Sequence, residues 1–187
     1  MNKINGKQSD FALMRTDGTQ IIIGYGLKKI TGTKLYEWYE VSIPKAQINQ
    51  LSLQDVKDAI IKDINDRTDA RILNGYQWTV LHGDDAGKTV NVWLSAENKE
   101  NYKAKYDTAK DDPELITWPT KFKVSENDDK TPVYEYFAGI TELKTFYYGG
   151  LSFIETAVNE GWAEKDAIDW APYEALFSTQ NEAESVE

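Results

Sequence analysis

The sequence predicts an α+β protein in which a small N-terminal antiparallel meander with one helix precedes a ββα-ββα domain whose helices pack on an antiparallel sheet. Three observations lead there. Residues 11–43 are stretches rich in β-forming residues punctuated by Gly and Asp turns. After residue 72 a pattern of two strands and a helix occurs twice. The helical stretches carry apolar residues three and four apart, so each presents one face to a sheet instead of running apolar throughout.

Within the meander, "FALMRT" and "TQIIIGYG" flank Asp17-Gly18, a strong two-residue hairpin signal, and "KLYEWYEVSIP" supplies the next strand up to Pro44. Ser52 and Asp55 stand at capping-box spacing ahead of Leu53, Val56, Ile60 and Ile64, which share one helical face through about residue 66. The polar run "NDRTDAR", 65–71, is the best boundary in the chain. The repeat follows: "LNGYQWTV", the turn "HGDDAGK", "TVNVWLS" and a helix, then "TKFKVSE", the turn "NDDK", "TPVYEYF" and a second helix. That second helix bears a wide stripe of Leu143, Phe146, Tyr147, Gly150, Leu151, Ile154, Ala157 and Val158. Gly149-Gly150 inside it costs helix stability, which implies close backbone packing or a kink. A short last helix follows Gly161-Trp162. The expected organisation is therefore 1–68 as a docking or oligomerising module, 71–177 as the ββα-ββα domain and 178–187 as a flexible acidic tail.

Composition narrows the function classes. A net charge of −10, with 31 acidic against 21 basic residues, argues against a nucleic-acid partner, whose phosphates draw affinity from Lys and Arg. No apolar run approaches the ~20 residues of a membrane span, and "MNKINGKQSD" lacks the apolar segment of a secretory signal, so no membrane partner and synthesis in the cytoplasm are expected. The absence of cysteine removes thiol chemistry, disulfides and Cys-based zinc sites.

Each candidate for chemistry meets a plainer reading. Ser95 follows the alternating Val90, Val92 and Leu94 and precedes Asn98, Tyr102, Tyr106 and Ala109 at helical spacing, so it reads as an N-cap; a nucleophile elbow needs glycines that are missing around it. His82, the single histidine, lies in a Gly/Asp turn, and neither "HGDDAG" nor "SENDDK" has EF-hand spacing. "GYGLKK", 24–29, has Lys29 where a phosphate-binding loop has its third glycine, and reads as a strand end. No pair of carboxylates is singled out for glycoside hydrolysis. The expectation is a protein that is not an enzyme, with no catalytic residues, no metal and no cofactor. Six tryptophans and eleven tyrosines invite two explanations, a sheet covered on both faces or a partner or glycan surface. Alternation puts Trp93 on the face opposite Val92 and Leu94. The candidate contact residues are Tyr36, Trp38, Trp93 and Tyr148.

The linked stretches "LYEWYEVSIPK", "ILNGYQWTV", "VNVWLSAENKENYKAKYD", "FKVSENDDKTPVYEYF" and "VNEGWAEKDAIDWAPYEAL" resemble proteins of phages and prophages of gut Bacteroidales. Residues 71–177 are similar to a domain of unknown function also met in proteins of phage tail-fibre regions. The resemblance carries no catalytic residues. It implies a viral structural protein located in the virion, a tail or tail-fibre adaptor whose partners are other phage structural proteins or a second copy. Two alternatives stay open: a fibre-assembly chaperone not retained in the virion, and a glycan-binding module facing host capsule.

Overall fold

Gly18 takes a left-handed φ of 56°, which lets the chain reverse in two residues between β2 (Met14–Asp17) and β3 (Gln20–Lys29). β3 then pairs antiparallel with β4 (Tyr36–Pro44). In the computed structural model, which describes residues 2–45 and 51–184, these strands are joined by β1 (Asn2–Gly6), and the sheet order is β1-β4-β3-β2. β1 is an addition to the expected meander. Its short polar sequence carries no strand pattern; it forms because β4 offers a free edge, with Ile4 registered opposite Trp38.

The chain divides into two units, Met1–Asp66 with Gly161–Glu187, and Arg67–Glu160. In the first, Ile21, Ile23, Tyr25 and Ile43 line one face of the sheet, and Val56, Ile60 and Ile64 of α1 (Leu53–Asn74) bury with them. Ile60 and Ile64 are fully enclosed, each worth about 1.5–3 kcal/mol. The expected capping box is present: the Ser52 N–H donates to Asp55 Oδ2 at 2.8 Å and the Asp55 N–H to Ser52 Oγ at 3.2 Å. Tyr173, on α4 (Ala171–Glu184), completes this core and donates from its hydroxyl to the Gly24 carbonyl at 2.6 Å.

Three expectations are corrected here. α1 runs through 65–71 to Asn74, past the expected end at about residue 66, because no Gly or Pro interrupts it before Gly75; the division between the units still falls in this run, after Asp66. Residues 161–177 belong to the first unit and not to the ββα-ββα domain, since Ile168, Trp170, Tyr173 and Phe177 pack on its core. α4 continues through Glu184, past the expected start of the flexible tail at Ser178; Gln, Glu and Ala are good helix formers, and residues 185–187 lie outside the described residues. "GYGLKK" is the end of a strand, as expected: β3 runs to Lys29 through a bulge between Tyr25 and Lys28, where Gly26 takes a φ of 66°.

The second unit follows the expected order, β5 (Tyr76–Thr79), β6 (Thr89–Val92), α2 (Ala96–Asp111), β7 (Thr120–Glu126), β8 (Pro132–Phe137) and α3, which spans Ile140–Asp166 and so continues into the first unit. Val90, Val92, Leu94, Tyr102, Tyr106, Val124, Val133, Phe137, Leu143 and Phe146 are buried together. The hairpins are two separate two-stranded ladders, not one sheet. They meet where the Trp93 N–H donates to the Val124 carbonyl at 3.4 Å, and there β7 is bulged between Lys123 and Ser125 and β6 gives way to α2. Among the described residues, no helix is long and apolar enough to cross a membrane.

Candidate functional site

The four candidate contact residues have different fates. Trp38 is 2% exposed and is withdrawn as a surface contact. Phe11 meets its ring edge-on at 6.0 Å, Gly6 leaves no room for a Cβ against it, and its Nε1 donates to Glu40 Oε1 at 3.1 Å. Glu40 is in turn gripped by both Arg15 nitrogens at 2.7 and 3.0 Å, which holds its carboxyl below the usual range. The cover is supplied by Gly6 of β1, which the sequence reading left outside the sheet, and by Phe11, which it placed in the first strand of the meander. Tyr36 is half-buried at the end of β4, opposite Gly6. Tyr148 is 48% exposed on α3, edge-on to Tyr106 at 5.5 Å. Trp93 is 51% exposed.

The groups that chemistry could use are engaged in structure. Ser95 caps α2, its Oγ accepting the Asn98 N–H at 3.1 Å. Glu135 is fully buried, and its two oxygens accept four N–H groups: Trp78 Nε1 and Leu81 N at 2.7 Å on one, Tyr136 N at 2.9 Å and His82 N at 3.1 Å on the other. Its acceptor capacity is filled, so it staples the β5–β6 turn to β8. No sequence pattern marked Glu135, because three of its four donors come from β5 and the turn after it, more than fifty residues away. His82 meets Glu142 through Nε2 at 3.0 Å. Burial by itself raises the Glu142 carboxyl, but the Ala138 N–H and His82 outweigh it and the net shift is downward. Among the described residues, no three His, Asp or Glu side chains converge as metal ligands.

Of the cavities in the second unit, two are lined in part by α2. One, of about 320 Å³, opens between α2 and α3 over Tyr76, Leu94 and Phe146, with Lys99 and Lys103 among its lining residues. The other, of about 530 Å³, lies between β6 and β7, lined by Asn74, Asn91, Trp93, Asn98, Lys123, Val124, Ser125 and Glu126. Here the backbone of Trp93 is held on both sides of its Cα. Its N–H is bonded to Val124, and its carbonyl accepts from Asn98 Nδ2 at 2.8 Å. The helix cap and the exposed indole are thus one arrangement: the Ser95 cap starts α2, and Asn98 in its first turn reaches back to fix Trp93. Alternation along this strand already put Trp93, and with it Asn91, on the face opposite Val92 and Leu94. Asn74 and Ser125 arrive from other elements and carried no signal. No protein-family model, curated protein or solved structure matches this chain.

Proposed function

We propose that the chain is a non-enzymatic structural or accessory protein of a phage virion, an adaptor of the tail or tail-fibre apparatus that binds other structural proteins or a second copy of itself. The sequence resemblance motivates the phage context. The observation that carries the binding role is the first unit's open four-stranded sheet, whose outer strands β1 and β2 are short and largely exposed. An edge of unpaired N–H and C=O groups is a template for another strand. The structural engagement of Ser95 and Glu135 supports a non-catalytic reading, because both spend their polar atoms on the fold.

Mass spectrometry of purified particles, with solution mass of the isolated protein, tests the proposal. The expected outcome is the chain in particles at a fixed ratio to a tail protein. Presence in infected cells with fibre-protein binding, but absence from particles, would replace the adaptor with an assembly chaperone. Absence from particles, a strictly monomeric state and no binding to fibre proteins would overturn both.

A further inference from the structure

We infer that the groove between β6 and β7 is a carbohydrate subsite, in which the C–H face of a neutral pyranose stacks on Trp93 and its hydroxyls bond to Asn91, Asn74 and Ser125. The inference stands whether or not the chain is borne on a virion.

Three features of the groove carry it. Trp93 exposes half its surface beside a cavity, on a backbone fixed by Val124 and Asn98, so little is lost in ordering it when a ligand arrives. An indole face is electron-rich, and the axial C–H groups of a pyranose present the weakly positive surface that such a face attracts. The surrounding groups are of the matching kind. Asn74 and Asn91 each offer an amide that both donates and accepts, and Ser125 a hydroxyl that does the same, as a sugar hydroxyl requires.

The walls also separate this ligand class from others. Of the eight lining residues only Trp93 and Val124 are apolar, whereas a protein anchor favours a desolvated apolar pocket. Lys123, the single basic residue of the groove, is paired with Glu126, which leaves little to hold a phosphate backbone. The volume of about 530 Å³ is that of a small-molecule site. Asn91, Ser125 and Glu126 also line an adjoining cavity that reaches Lys88 and Asn127, so the groove has length for more than one sugar ring.

The test uses the full chain on an array of neutral and N-acetylated oligosaccharides, followed by saturation-transfer NMR and titration with cellotriose, maltotriose and chitotriose. At least one saccharide is expected to bind. Trp93→Ala should weaken that binding about tenfold or more, equivalent to about 1.4 kcal/mol. Trp93→Phe and Asn91→Ala should weaken it less, and Trp162→Ala, which removes an exposed tryptophan of the other unit, should leave it unchanged. Unaltered melting of the Trp93 variants confirms that they fold. No binding on the array or to the three trisaccharides would overturn the inference. So would binding that persists unchanged in a folded Trp93→Ala protein, and capture of a protein or single-stranded oligonucleotide at Trp93 without any saccharide would reassign the groove.

Discussion

At the scale of single residues, the fold is held by contacts too close to tolerate small changes. The Tyr76 hydroxyl donates to the Phe146 carbonyl at 3.0 Å, and a Cβ added at Gly149 would lie 2.4 Å from that hydroxyl oxygen. This explains a glycine inside α3, where alanine is otherwise favoured by about 0.5–1 kcal/mol. Gly149→Ala is therefore expected to destabilise the protein by about 1–3 kcal/mol, the usual cost of overpacking. In a Tyr76→Phe background the nearest atom to the new methyl is a ring carbon at 3.3 Å, and most of that cost should vanish. Urea denaturation of the four proteins in a double-mutant cycle reads the coupling. Equal costs in both backgrounds would rule out the hydroxyl as the cause. The sequence marked Gly149-Gly150 as a site of close approach or a kink; only the structure identifies what approaches.

At the scale of elements, the C-terminal helix is the clearest case of a segment placed by packing. Its sequence resembles any short amphipathic helix, yet Ile168, Trp170, Tyr173 and Phe177 pack on the first sheet's core, and Lys57 bridges to Glu174 at 3.1 Å. A chain ending at Asp166 is expected to lose protection throughout β3 and β4, while a chain ending at Phe177 retains it. Hydrogen exchange resolved by peptide distinguishes the two. If the shorter chain kept β3 protected, Tyr173 and its neighbours would be decoration on a core that stands without them. In the second unit, the gap between the hairpins comes from the bulge in β7 and the early start of α2. That gap makes the groove at Trp93; a continuous ladder would have closed it.

Across the whole molecule, buried phenols link stability to alkaline pH. Burial pushes the hydroxyls of Tyr76, Tyr102 and Tyr173 from 10.0 up to about 12. The folded chain then holds protons that the unfolded chain releases. Their contribution is complete below about pH 10 and falls as pH rises from about 10 through 12. Thermal melts across that range should show a decline in midpoint, and tyrosinate absorbance should show a class of phenols that ionises late. A midpoint that is level over this interval, with all phenols titrating together, would contradict their burial. Both units contribute to the effect, Tyr173 from the first and Tyr76 and Tyr102 from the second.

The sequence by itself determined the α+β class, the ββα-ββα order, the Asp17-Gly18 hairpin, the two helix caps and the place of Trp93 on the face opposite Val92 and Leu94; that this face is open at Trp93 came from the structure. These depend on neighbours within a few residues, where periodicity, turn chemistry and cap spacing act directly. The tertiary structure decided what depends on distant partners. β1 pairs with β4 because a free edge was there to fill, and the cover that buries Trp38 comes from Gly6 and Phe11, upstream of the hairpin. α4 joins the first unit because the apolar face of the β3–β4 sheet needed covering. Glu135 is satisfied chiefly by β5 and the turn after it, from the other hairpin. Asn74 and Ser125 reach Trp93 only once α1 and β7 are in place. No local pattern encodes such meetings, since each side is selected for the shape and polarity of the other and not for its own sequence neighbours.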